Sequence, residues 1–121
     1  MPSWLIPDGF LPDDGAATTQ ESHEALCMLN PTDEDATVDL VVYFADREPL
    51  TGLRVAVPAR RSVHARLDLL HTPDGDAIPR DVPYALRVSC AATIGVQHSR
   101  MDTRQANMAL FTTPGQRYDS D

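Results

Sequence analysis

Residues 37–44 read Thr-Val-Asp-Leu-Val-Val-Tyr-Phe, with an apolar side chain at every second position from Val38 to Phe44. This period of two is the pattern of a β-strand with one buried face. Further strand-like segments follow along the chain at 25–29, 53–57, 62–69, 84–90, 93–102 and 107–113. Only 104–110 offers an alternative, one or two helical turns. The sequence therefore predicts an all-β fold, an antiparallel β-sandwich of about seven to eight short strands.

The length of 121 residues predicts a single domain that spans residues 1–121. Ten prolines against six glycines favour short strands and stiff turns over long helices. Trp4–Ile6 is expected to form a short edge strand that ends at Pro7. The two ends of the chain, residues 1–3 and 115–121, are expected to fray.

The charge and cysteine content limit the function classes. Eighteen acidic and ten basic residues give a formal net charge of −8, and every basic residue is an arginine. This balance disfavours a dominant role in binding nucleic acid or an anionic membrane. No apolar run approaches the roughly 18 residues of a spanning helix, and the first residues lack the pattern of a signal peptide. Cys27 and Cys90 are interpreted as buried apolar side chains in a reducing compartment, so we expect a cytoplasmic protein.

The densest polar cluster lies in residues 97–105. If a strand runs through it, His98, Arg100 and Asp102 share the face on which Ile94 and Val96 are core residues. Charges on a core face must find partners, water or a ligand. One interpretation is an Arg100–Asp102 ion pair with His98 bonded to backbone. The other is a cleft whose arginine and histidine donors bind an anionic or polyhydroxy ligand.

Two other clusters add polar residues. Arg60 and Arg61 follow Pro58 at a turn, from which both guanidinium groups could reach the same rim. His64 and Arg66 oppose the apolar face of their strand, so we expect them in solvent or at a subunit contact. His23 and Glu24 stand at the start of a strand.

Catalytic and metal-binding alternatives have weak signals. His23, His64 and His98 could form a three-histidine metal site of a metal-dependent or acid–base enzyme, but no short ligand spacing is present. No nucleophile elbow, phosphate loop or calcium-loop spacing occurs, so we expect no catalytic residue, no metal and no cofactor. A DNA-binding regulator with an arginine patch is a third alternative, opposed by the net charge of −8.

Taken together, several ordered segments resemble the sensory rhodopsin transducer family. They are 26–30, 33–36, 43–49, 57–61 and 96–106, with Trp4, Gly9, Pro12, Ser22, His23, Glu24 and His64 also at matching positions. The resemblance runs from Trp4 to about Thr113. The loop 71–83 and the tail after Pro114 match only loosely.

The resemblance implies a non-enzymatic signalling module that assembles as a cyclic homotetramer. It also implies a microbial sensory rhodopsin as a membrane partner and a small polar ligand, either sugar-like or an anionic metabolite. Transferred residue by residue, it places ligand-facing groups at His23, Glu24, Arg60, Arg61, His64, His98, Arg100, Asp102 and Arg104. These expectations require side chains distant in sequence to meet around one hollow.

Overall fold

The computed structural model of the chain describes residues 1–13, 22–102 and 109–119. Within these residues nine strands form: β1 Pro2–Gly9, β2 His23–Asn30, β3 Ala36–Tyr43, β4 Leu50–Val57, β5 Arg61–Arg66, β6 Tyr84–Ser89, β7 Gly95–Asp102, β8 Ala109–Pro114 and β9 Gln116–Asp119. The only helical element described is a short 3₁₀ turn, Leu67–Leu69. The predicted all-β class is confirmed.

The strands form two antiparallel sheets that pack as a sandwich. Sheet A has the order β4-β3-β6-β1-β9, and sheet B has the order β5-β2-β7-β8. The core consists of the inward side chains of both sheets. In β3 the alternation predicted from the sequence is confirmed, since Val38, Leu40 and Val42 are buried and the residues between them are not. Nine strands are described, rather than seven or eight, because residues Gln116–Asp119 add the strand β9.

Three local predictions were wrong. The first strand begins at Pro2 and is not an edge strand, because β9 pairs with residues Pro2–Leu5 on its outer side. Residues 116–119, expected to fray, form β9 itself. The strand expected over 62–69 ends at Arg66, where the 3₁₀ turn begins.

A bulge in β1 directs the backbone toward the polar interior. Ile6 pairs with Leu86 and Gly9 pairs with Tyr84, so β1 holds one residue more than β6 between these pairs. Such bulges bend a strand and re-aim its side chains. The bulge contains Pro7 and Asp8.

Gly9 permits the Tyr84 ring to lie against β1. A Cβ at Gly9 would lie 2.4 Å from Tyr84 Cζ, much closer than real contacts allow.

We predict that Gly9→Ala lowers the free energy of unfolding by about 2 kcal/mol, because the methyl group overpacks the site. Gly95→Ala is the control, since its Cβ would meet Leu29 Cβ at an ordinary 3.7 Å. Urea denaturation measures both variants. Equal stability of the two variants would contradict the close packing of Tyr84 on Gly9.

Candidate functional site

Glu24 is the centre of a buried polar cluster between the two sheets. Its Oε1 accepts hydrogen bonds from the Tyr84 hydroxyl and from His98 Nε2, the latter at 2.9 Å. Its Oε2 accepts hydrogen bonds from Arg100 Nε at 2.6 Å and from the Phe10 N–H at 2.8 Å. A carboxylate offers about four acceptor positions, so these donors fill it.

The cluster joins both sheets. Glu24 on β2 pairs with Arg100 on β7 in sheet B. The next pair of inward-facing residues along these two strands is Leu26 and His98. Tyr84 begins β6 in sheet A, and Phe10 directly follows β1. Glu24 and His98 are both fully buried. The carboxylate therefore links residues from β1, β2, β6 and β7 at one end of the sandwich.

The surroundings of Glu24 stabilise its charged form. Burial alone would raise its pKa, but the hydrogen bonds from His98, Tyr84 and the Phe10 N–H outweigh burial and lower the pKa below its ordinary value. Burial and the neighbouring carboxylate raise the pKa of Tyr84, so its hydroxyl keeps the proton that it donates. Partial burial opposes the charge of Arg100, but the hydrogen bond and charge of Glu24 prevail and raise the pKa of that guanidinium.

Because Glu24 is charged, the His98 nitrogen that faces it, Nε2, carries the proton. The other ring nitrogen, Nδ1, is buried and has no hydrogen-bond partner among the described residues. The ring instead meets Phe111 edge-on, with 6.5 Å between the ring centroids. A buried nitrogen without a hydrogen-bond partner lowers the free energy of unfolding. The hydrogen bonds that Glu24 accepts must offset this loss.

Arg100 also reaches the molecular surface. Its Nη2 lies 3.4 Å from an Asp8 carboxylate oxygen, and its guanidinium carbon lies 5.2 Å from the centre of the Phe111 ring. A groove of about 540 Å³ runs beside these two residues, between β1 and β8. Its walls are Leu5, Ile6, Pro7, Asp8, Phe111, Thr113, Pro114 and Gln116.

The structure brings together three of the nine expected site residues, Glu24, His98 and Arg100. The expected Arg100–Asp102 ion pair was wrong, because Arg100 pairs with Glu24 and Asp8. The backbone partner expected for His98 was also wrong, since Glu24 takes that place. His23 faces Met101 on the outer side of sheet B, and Asp102 faces Ala109 at the end of β7. Arg104 lies outside the described residues.

Arg60, Arg61 and His64 lie away from the Glu24 cluster. Arg61 faces Asn30, six residues along β2 from Glu24, which corresponds to about 20 Å. Arg60 has φ of 57° in the turn before β5 and forms an exposed ion pair with Asp33 at 3.0 Å. His64 is exposed on the outer face of sheet B, where it faces Cys27. The two arginines therefore do not reach the rim that contains Arg100.

The three histidines proposed as metal ligands do not converge. His98 points into the core, whereas His64 lies on the opposite face of the same sheet. In the described ranges no group of three or more histidine, cysteine or acidic side chains is placed to hold a metal. Cys27, expected in the core, is half-buried on this outer face, while Cys90 is buried as expected.

Several polar contacts were missed at the level of sequence. Tyr84 lies in the expected strand 84–90 but was not among the expected site residues, although its hydroxyl is a principal donor to Glu24. Asp68 was missed entirely; it is nearly buried, and Arg66 donates to both of its oxygens, at 3.0 and 2.5 Å. Arg80 lies 3.6 Å from the same carboxylate and donates to the Pro12 carbonyl at 2.8 Å, which fastens the loop 71–83 across the sandwich. The signal available for Glu24 was its alternation with Leu26 and Met28.

The outer face of sheet B has a distinct composition. The register of the four strands places fourteen described side-chain positions on it. They are His23, Ala25, Cys27, Leu29, Ser62, His64, Arg66, Gly95, Gln97, Ser99, Met101, Leu110, Thr112 and Pro114. None is buried and none is acidic, although the chain has eighteen acidic residues. We call these fourteen positions the acid-free face.

The sequence model of the family described as "Anabaena sensory rhodopsin transducer" matches residues 1–116. The chain belongs to this family. The solved structure of the Anabaena sensory rhodopsin transducer is 40% identical with a TM-score of 0.73, covering 87% of this chain and 91% of that one. The crystal structure of Thermotoga maritima 1070 is 32% identical with a TM-score of 0.81, covering 93% and 90%. No curated protein matches the chain.

Membership of the transducer family confirms the resemblance seen in the sequence and gives the chain the context of a signalling module. The Glu24 cluster adds a physical constraint to that context. Its donors are directed at the chain's own carboxylate, so this part of the family fold acts in the described structure as an internal anchor between the sheets.

We predict that Glu24→Gln lowers the free energy of unfolding at pH 7 by about 3 kcal/mol, because Arg100 loses its buried partner. The lowered pKa of Glu24 means that its stabilisation is present above pH 4.5 and is lost as the pH falls through the folded pKa, below 4.5. Urea denaturation from pH 7 to pH 3 should therefore show the wild-type protein approaching the variant as the pH falls. Asp39→Asn, which breaks the exposed pair with Arg54, is the control and should cost below about 1 kcal/mol. A constant gap between wild type and Glu24→Gln would contradict an ionised, lowered-pKa Glu24.

Proposed function

We propose that the protein is a non-enzymatic cytoplasmic signalling module that relays a signal by docking on a membrane-embedded sensory rhodopsin through its acid-free face. The single observation that carries this proposal is the complete absence of carboxylates from that face in a chain of net charge −8. The family, described by a sensory rhodopsin transducer, supplies the class of partner.

The electrostatics of the membrane explain why this face would be used. The cytoplasmic leaflet is anionic and repels a strongly acidic protein near its surface. A protein that must reach a receptor in that leaflet approaches most easily with its least negative side. The acid-free face carries His23, His64 and Arg66; Arg66 pairs with Asp68, which lies outside this face and is nearly buried.

The shape of the acid-free face also suits a docking surface. A hollow of about 390 Å³ lies on it, bordered by Leu29, His64, Gly95 and Gln97 among others. Gly95 has no side chain and so leaves this hollow open. Leu29, beside it, is an apolar side chain of the kind that a partner would cover.

The same proposal includes self-association as a homotetramer in a reducing compartment, consistent with the two free cysteines. The alternative of a metal-dependent enzyme built on His23, His64 and His98 is disfavoured by the placement of His64 and His98 on opposite faces of sheet B. The DNA-binding alternative is disfavoured by the separation of Arg60 and Arg61 from Arg100. Among the described residues no helix has the length and hydropathy needed to span a membrane.

We predict that Leu29→Asp weakens binding to a sensory rhodopsin in lipid nanodiscs at least tenfold, because it places a carboxylate on the acid-free face. Leu69→Asp is the matched control, since Leu69 is 62% exposed and Leu29 is 51% exposed, but Leu69 lies outside that face. Isothermal titration calorimetry measures both variants against loaded and empty nanodiscs. Equal affinities of the two variants, or no rhodopsin binding by the wild type, would overturn the docking proposal.

A second candidate function is binding of a small polar ligand in the groove between β1 and β8. The observation that favours it is the position of Arg100, whose Nη2 faces the exposed Asp8 beside the groove. An anionic ligand would have to displace the Asp8 carboxylate from this guanidinium. A neutral, sugar-like ligand has no negative charge, so it would not have to displace the Asp8 carboxylate from the Arg100 guanidinium.

We predict that Asp8→Asn increases the thermal stabilisation that anionic metabolites give, because it removes the competing carboxylate from Arg100. Asp33→Asn is the control, as both aspartates pair with an arginine and have side chains that are 83% exposed. Thermal-shift measurements with anionic metabolites and neutral sugars separate the two ligand classes. If no compound of either class stabilises wild type or variant, the ligand-binding candidate is rejected.

A further inference from the structure

A thiol and an imidazole lie side by side on the acid-free face. Cys27 on β2 pairs with His64 on β5, and both residues lie on the outer side of sheet B. Residues that face each other directly across an antiparallel pair have Cβ atoms about 4.5–5.5 Å apart. Both residues also line the hollow of about 390 Å³ on this face. The fold therefore brings two metal-binding types of side chain together at one opening.

The fold does not use the polar atoms of either side chain. In the part of the chain that the structure describes, neither the Cys27 thiol nor the His64 ring has a hydrogen bond or an ion pair. By contrast, His98 bonds to a buried carboxylate, and His71 Nδ1 lies 3.1 Å from a backbone carbonyl oxygen. The other thiol, Cys90, is buried in the core. The thiol of Cys27 and the imidazole of His64 are therefore available to a ligand in the hollow.

The ligand chemistry of the hollow favours a soft ion. Its other outward-facing residues are Leu29, Ser62, Gly95 and Gln97, none of which carries a charge. Hard cations such as Ca²⁺ and Mg²⁺ bind carboxylate and carbonyl oxygens. Thiolates select soft ions such as Cu(I), and imidazole also suits copper. One thiol and one imidazole therefore match copper better than a hard cation.

The number of ligands does not fit zinc. Zn²⁺ takes three or four protein ligands in its structural and catalytic sites. His23, the other outward histidine of β2, is four residues from Cys27 along the strand, which corresponds to about 13 Å. Cu(I), unlike Zn²⁺, forms stable complexes with two ligands in a line. The pair of Cys27 and His64 satisfies this smaller requirement.

The charge of the surroundings favours a monovalent ion. A divalent ion bound by one thiolate and one neutral imidazole keeps a positive charge. None of the fourteen positions of the acid-free face is acidic, so no side chain of that face would balance it. A monovalent ion is neutralised by the thiolate and adds no charge to the face.

We propose that Cys27 and His64 bind a soft monovalent metal ion of the Cu(I) type in the hollow of the acid-free face. On binding, the S–H bond of Cys27 breaks, its proton passes to water, and the sulfur forms a bond to the metal. A ring nitrogen of His64 donates its lone pair as the second ligand. The ion stays in the Cu(I) state, so no electron is transferred. This site is separate from the Glu24 cluster and does not depend on docking to a rhodopsin.

The test is an anaerobic titration of the full chain with Cu(I), in competition with the chelator bathocuproine disulfonate. Cys27→Ser and His64→Ala each remove one ligand. His64 is exposed on an edge strand, so His64→Ala keeps the test open even if Cys27→Ser does not fold. His71→Ala and Cys90→Ala are the matched controls, since they remove an exposed histidine and a thiol outside the hollow. Circular dichroism verifies folding, and X-ray absorption identifies the atoms bound to copper.

We expect wild type and both controls to bind one equivalent of Cu(I) through one sulfur and one nitrogen. Loss of an outer partner of a metal ligand typically lowers metal affinity about 10–100-fold, so loss of a direct ligand should lower it by about 100-fold or more. Unchanged affinity in Cys27→Ser or in His64→Ala would overturn the proposal. Coordination by sulfur alone, or no Cu(I) bound by the wild type in competition with the chelator, would overturn it too. Rhodopsin binding by Leu29→Asp is a separate measurement, so failure of the metal site and failure of the docking face are distinguishable.

Discussion

The fold depends at one end on the buried negative charge of Glu24. Glu24 has no access to solvent, so its charge must be compensated inside the sandwich. Tyr84, His98, Arg100 and the backbone after β1 supply that compensation. These donors depend on particular features of the backbone. The bulge in β1 lies shortly before Phe10, and Gly9 has no Cβ that would collide with the Tyr84 ring. The four donors come from β6, from β7 and from the residue after β1, so the carboxylate on β2 also fixes how these strands are placed.

This arrangement changes where function is to be sought. A cluster of histidine and arginine on a core face suggests a receptor for an anion, but here the anion is part of the protein. The acid-free face and the groove beside Arg100 are two surfaces on which partners can bind. The first lies on sheet B, and the second lies at the border between sheet B and β1. The fourteen positions of the acid-free face include no acidic residue, whereas Asp8 forms part of the groove wall.

The sequence was sufficient for the fold class and for much of the strand pattern, because alternation such as that of 37–44 is a local property. It also predicted correctly that His98 and Arg100 share an inward face. It did not predict their partner, since the meeting of Glu24 with Arg100 depends on the register of β2 against β7, which no local pattern encodes. For the same reason the sequence did not predict that Arg61 lies far from this cluster, since its position depends on the register of β5 against β2. The sequence did not predict that β1 lies inside sheet A or that β9 forms. These two strands pair with each other, and neither end of the chain alone indicates its partner.

The most direct test of the anchoring role of Glu24 is the position of the proton on the His98 ring. Nitrogen-15 NMR of the imidazole at pH 7 distinguishes a proton on Nε2 from a proton on Nδ1. Our account predicts a proton on Nε2, held in a hydrogen bond to Glu24 and slow to exchange with solvent. An unprotonated Nε2, or an imidazole that exchanges its proton as fast as an exposed histidine such as His71, would contradict it.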